Sequence, residues 1–132
     1  MNMDSKDKDR NVFSVHRLKR SFSFAFGGIG TAWKEANFKI HVMAAFLTMA
    51  AGLAFQISKW EWMILLLLFA GMFALEMVNT AIEKIVDLAT QDYHPLAKEA
   101  KDLAAGAVLV YAIFAVVIGM IIFLPKWFRL FV

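Results

Sequence analysis

Three stretches free of Asp, Glu, Lys and Arg constrain this chain more than any other feature. They lie between Lys39 and Lys59, between Glu61 and Glu76, and between Asp102 and Lys126. A helical membrane crossing needs about 20 largely apolar residues. The first and third stretches meet that length, and the second does so if its helix continues through a polar half to about Asp87. The expectation is an all-α integral membrane protein, with spans at residues 37–58, 60–88 and 97–124. At 132 residues and 61% hydrophobic, the chain has one domain's length and is far too apolar for a soluble one. It has no cysteine, which excludes a disulfide framework and thiol chemistry. The basic residues flank the apolar runs and form no stripe of their own, so no nucleic-acid partner is expected.

The second span carries the chemistry. Glu76, Asn79, Glu83 and Asp87 follow one another at steps of three, four and four. At about 100° per residue, all four share one helix face. A carboxylate at membrane depth is expensive and usually faces a protein interior or a functional cavity. Three carboxylates and an amide on one stripe suit a metal-assisted site. The same stripe could instead join helices, or pair with Lys84 or Lys101.

The distribution of basic residues sets the orientation. Arg10, Arg17, Lys19, Arg20, Lys34 and Lys39 precede the first span, and Lys84, Lys98 and Lys101 surround the second link. The N-terminus and that link are therefore expected in the cytoplasm, with Trp60, Trp62 and Trp127 at the outer interface. Counted from Trp60, a helix rising 1.5 Å per residue puts Glu76 about 24 Å along. That is the inner third of an apolar core about 30 Å thick. Glu83, about 10 Å further, reaches the cytoplasmic surface. Such a stripe could join a lipid-soluble substrate to a water-soluble one.

Ahead of the spans, residues 1–11 are charged and mixed in sign, and read as a flexible tail rather than a signal peptide. Over residues 12–34, Val15, Leu18, Phe22, Phe26, Ile29 and Trp33 recur at helical spacing with Arg17 and Arg20 on the other side. This pattern predicts an amphipathic helix in the membrane interface. Gly27, Gly28 and Gly30 lack the following Lys and Ser/Thr of a phosphate loop, and predict a bend. Glu35 beside Lys34 reads as a solvated carboxylate, and His41 as an interfacial or hydrogen-bonded histidine. The polar link Thr90 to Pro95 reads as a turn.

The motif Glu76-Met-Val-Asn79-Thr-Ala-Ile-Glu83 with Asp87, then Tyr93-His94 and Ala100-Lys101-Asp102, resembles the small prokaryotic diacylglycerol kinase family. The closer likeness is to its undecaprenol kinase branch, and it extends from Arg17 to Pro125. The resemblance implies a homotrimer in the bacterial cytoplasmic membrane. It further implies a lipid kinase that phosphorylates undecaprenol with ATP and Mg2+. The alternative substrate is diacylglycerol, and an alternative of another class is a trimeric ion path lined by Glu76 and Glu83. By resemblance Glu76 is the general base, and Glu35 and Glu83 are the magnesium ligands. Asn79, Glu83, Asp92, Tyr93, His94, Lys101, Asp102 and Arg17 are nucleotide contacts, and Glu76 and Arg17 also meet the lipid. Phe24 departs from a tyrosine common in the family, and His41 stands where the diacylglycerol-using branch has an acid.

Overall fold

The computed structural model describes residues 15–129. The expected tail and the start of the expected interfacial helix, residues 1–14, lie outside the described residues. Among the described residues the fold is all-helical, with four helices: α1 (Val15–Ala32), α2 (Ala36–Ala54), α3 (Lys59–Ala89) and α4 (Pro95–Phe128). The chain divides into two compact units, Met1–Thr31 and Ala32–Val132.

The described part of the first unit is helix α1. It is one continuous helix through Gly27, Gly28 and Gly30. Glycine weakens a helix by about 1 kcal/mol but keeps its backbone donor, so the hydrogen-bond ladder continues. Within it Thr31 donates its hydroxyl to the Gly27 carbonyl at 3.1 Å. The Arg20 guanidinium lies 5.4 Å from the centre of the Phe24 ring, a cation–π contact.

The second unit holds α2, α3 and α4, each long and apolar enough to cross a membrane. Helix α3 packs more extensively on α4 than on α2. The α2–α3 connection is tight. Phe55 donates its N–H to the Ala51 carbonyl, Gln56 to Leu53 and Ile57 to Gly52, which uses up carbonyls that end the helix. Gln56 adopts a left-handed backbone, φ 49°. Ser58 then opens α3 with a capping box: its Oγ accepts from the Glu61 N–H, while its own N–H donates to Glu61 Oε2. At the other end of α3, His94 caps α4 by accepting the Leu96 N–H on Nδ1 at 3.3 Å. Pro95 fills the first position of α4, where a missing N–H costs nothing.

The apolar core sits at the α2–α3 connection. Ile57, Leu65 and Ile122 are buried, with Phe55, Trp62, Phe69 and Phe123 packed around them. Halfway along, the Tyr111 ring crosses α3 at Gly71 and its hydroxyl donates to the Leu67 carbonyl at 3.1 Å. A Cβ on Gly71 would sit 2.1 Å from that hydroxyl oxygen, so glycine is what lets α3 and α4 approach here. Facing away from the bundle, Leu66, Leu67, Leu109, Ile113, Phe114 and Ile121 are all exposed. Outward apolar side chains of this kind are what a helix presents to lipid.

Candidate active site

Every described residue at the head of the polar stripe comes from the middle of α3. Glu76 and Asn79 are buried, with relative exposures of 2% and 5%, and Thr80 is buried beside them. The 3.6-residue repeat brings Asn79 above Glu83, and the Asn79 amide donates from Nδ2 to Glu83 Oε1 at 3.0 Å. The other amide atom, Asn79 Oδ1, is buried and has no hydrogen-bond partner. An unsatisfied buried acceptor costs on the order of 1–3 kcal/mol.

Helix α2 supplies the histidine facing this stripe. His41 Nε2 lies 3.9 Å from Glu76 Oε2. That is an ion-pair distance for a protonated histidine and too long for a direct hydrogen bond. The two residues lie far apart in sequence, so a single chain gives no local signal that they meet. Thr80, too, escapes a search for ionisable groups, since a threonine on a span usually bonds its own backbone.

Further along α3 the polar groups pair across helices. Glu35, at the N-cap of α2, accepts from Lys84 Nζ on Oε1 at 2.9 Å. Glu35 is therefore an ion-paired carboxylate, not merely a solvated one, and it lies at the level of Glu83 on α3. Lys101 of α4 donates to Asp87 Oδ1 at 2.5 Å. The alternative of a stripe engaged by lysines thus holds for Asp87, and the basic side chain nearest Glu76 among the described residues is His41 instead. Lys98 pairs with Asp102 one turn on along α4.

The α3–α4 link gathers the remaining candidates. Asp87, Asp92, Tyr93, His94, Lys101 and Asp102 all line one polar recess of about 290 Å³. Thr90 shapes the floor of the link by accepting the Asp92 N–H at 3.2 Å. Asn79 and Glu83 do not line this recess, and Arg17 belongs to α1, in the other unit.

A magnesium site can be tested against these donors. Among the described residues no three His, Cys, Asp or Glu side chains group as a metal cage. Glu35 and Glu83 are hard oxygen donors, and each commits only Oε1 to a neighbour. Magnesium takes oxygen ligands, keeps several waters and shares phosphate oxygens, so it needs only one or two carboxylates. Each carboxylate has the donor chemistry such an ion takes, and neither belongs to a site enclosed wholly by protein among the described residues.

Known proteins resemble this chain over most of its length. Residues 23–123 match the family described as prokaryotic diacylglycerol kinase. The chain is 52% identical to an undecaprenol kinase of Bacillus subtilis (strain 168), over 94% of this chain and 99% of that protein. It is 40% identical to a diacylglycerol kinase of Synechocystis, over 93% of this chain and 72% of the relative. It is 28% identical to the diacylglycerol kinase of Escherichia coli K12, over 81% and 88%.

Proposed function

The chain belongs to the prokaryotic diacylglycerol kinase family, and we propose that within it the chain is an undecaprenol kinase, moving the γ-phosphate of ATP to the lipid's terminal hydroxyl. The observation that carries this reading is the placement of Glu76. It is a buried carboxylate within an apolar helix, at the head of a stripe that leads to a polar recess. A lipid alcohol can reach such a base from the bilayer while a nucleotide stays on the aqueous side.

The roles follow from phosphoryl-transfer chemistry, which depends on positioning and charge neutralisation more than on covalent help. Glu76 accepts the proton of the attacking hydroxyl. Asn79 holds Glu83 through its amide N–H and leaves its carbonyl oxygen uncommitted. Glu35 and Glu83 would hold a magnesium ion, which when bound neutralises phosphate charge. Lys101 can exchange Asp87 for a phosphate oxygen, since an exposed pair of this kind is weak. Asp92, Tyr93, His94 and Asp102 frame the recess for the rest of the nucleotide.

The proposal includes a homotrimer in the cytoplasmic membrane, with the N-terminus inside and residues 12–34 as an amphipathic helix in the interface. The polar link and the lysines at the α3–α4 end support that orientation. Shared sites can be tested by mixing Glu35→Ala and Glu76→Ala subunits. Partial recovery of activity is expected, and mixtures that stay dead would argue for sites contained in one chain.

Two of the relatives quoted above are diacylglycerol kinases, so the lipid is the point to test. With MgATP and either lipid at equal mole fraction in the same micelles, kcat/KM is expected to be at least about tenfold higher for undecaprenol. That preference requires about 1.4 kcal/mol of differential transition-state binding. Equal or better use of diacylglycerol would reassign the substrate, and no ATP consumption with either lipid would remove the kinase reading.

A further inference from the structure

His41 takes no part in the chemistry above, yet among the described residues it is the basic side chain nearest the base. Its Nε2 stands 3.9 Å from Glu76 Oε2, and the two side chains differ in access: 25% exposed for His41 and 3% for Glu76. The carboxylate is thus the inner member of the pair and the imidazole the outer one. An oxygen about 2.8 Å from each atom would see them at an angle of about 90°, within the range a hydroxyl accepts for one donated and one accepted hydrogen bond. A direct bond between the two side chains would need a separation about 1 Å shorter.

The surroundings of His41 indicate what that oxygen carries. Beyond His41, toward the α2–α3 connection, lies an apolar groove of about 510 Å³ between α2, α3 and α4. Ala44, Ala45, Thr48, Met72 and Gly119 are on its wall, and His41 is its single ionisable lining residue. A hydroxyl seated between His41 and Glu76 therefore has an apolar path for the chain attached to it.

We propose that His41 and Glu76 form a two-point seat for the lipid hydroxyl, in which Glu76 Oε2 accepts its proton and the His41 Nε2–H donates to its oxygen. The inference rests on Glu76 being the base. In the step, the O–H bond breaks and its proton passes to Glu76. The oxygen forms a bond to the γ-phosphorus of ATP, and the bond from that phosphorus to the β–γ bridging oxygen breaks, releasing ADP. As the proton leaves, negative charge gathers on the hydroxyl oxygen, and the Nε2–H donates more strongly to it than to the neutral alcohol. Donors aimed at a developing oxyanion act on the transition state more than on the ground state. His41 is thereby a catalytic residue that also orients the lipid head.

The test is steady-state kinetics with undecaprenol and MgATP in detergent micelles, for the wild type, His41→Leu, His41→Gln and Glu76→Gln. Leucine removes the donor, whereas glutamine places an amide N–H near the position of Nε2. His41→Leu is expected to lower kcat/KM for undecaprenol about 30-fold or more, since loss of an oxyanion donor costs about 10²–10³ in other enzymes. The KM for ATP should stay within about twofold, and His41→Gln should recover most of the loss. His41→Leu within about twofold of the wild type, with Glu76→Gln inactive, would overturn the seat and leave the base in place. A rise in the ATP KM equal to the fall in lipid use, or no recovery with glutamine, would make His41 structural and also overturn it. Near-normal turnover of Glu76→Gln would instead remove the base assignment on which the inference stands.

Discussion

The two ends of α3 carry the same kinds of side chain to opposite effect. At the N-terminal end, Glu61 is saturated. Its Oε2 accepts the Ser58 N–H at 2.6 Å and its Oε1 pairs with Lys126 Nζ at 2.6 Å, while the Glu61 N–H returns to Ser58 Oγ. Toward the C-terminal half, Glu76 is more deeply buried and, among the described residues, meets only a histidine at 3.9 Å, while Asn79 Oδ1 has no partner there. A fold optimised for stability alone would satisfy the deeper groups first, because an unpaired buried polar group costs more than an exposed one. Under the proposed function, the reversed order separates a carboxylate that holds helices together from one kept available for a substrate. On that reading the unpaired groups are a stability cost that the proposed activity requires.

Three substitutions could break or sharpen that contrast. The largest effect is expected at Glu76→Gln, which keeps shape and hydrogen-bonding capacity but loses the base. Turnover with undecaprenol should fall about 10²-fold or more, the range of general-base contributions, with the KM for ATP little changed. Near-normal kcat would place Glu76 with Glu61, as a structural carboxylate.

At Glu61→Ala the expected loss is in stability. Removing the capping box and leaving Lys126 without its carboxylate should cost about 1–2 kcal/mol. Thermal unfolding in detergent would show it as a lower Tm, while kcat measured well below that temperature stays within about twofold. A collapse of kcat in a protein that remains folded would show the two ends are not functionally distinct.

The smallest effect is expected at Lys98→Ala. Lys98 and Asp102 form an i,i+4 pair with both side chains about 60% exposed. Such pairs contribute about 0.3–0.5 kcal/mol, so the Tm should scarcely move. A drop as large as that of Glu61→Ala would mean that the pair is buried in the assembled protein, which would support association through α4.

The contrast between the two ends was only half visible in the residues themselves. Glu76, Asn79, Glu83 and Asp87 fall on one face because helical periodicity is local, and their shared stripe needs no partner helix to be recognised. The Ser58–Glu61 box is local in the same way, a serine three residues ahead of a glutamate before an apolar run. Three long apolar helices likewise follow from charge-free runs, since backbone in lipid must satisfy its own hydrogen bonds. Helix α1 continues through its glycines, because glycine weakens a helix without interrupting its ladder.

What the sequence determined by itself is therefore the number of apolar helices and which polar groups share a face, both consequences of interactions within a few residues. The tertiary structure alone decided which of those groups are spent. It brought Lys84 to Glu35, Lys101 to Asp87 and Lys126 to Glu61, and it laid Tyr111 over Gly71. It also stopped His41 at 3.9 Å from Glu76, outside hydrogen-bond reach. These pairings depend on how the helices cross and in what register, which is set by close packing of side chains far apart in the chain. A lysine within the same turn as a glutamate can bond it or turn to another helix, and only the position of that other helix selects between them.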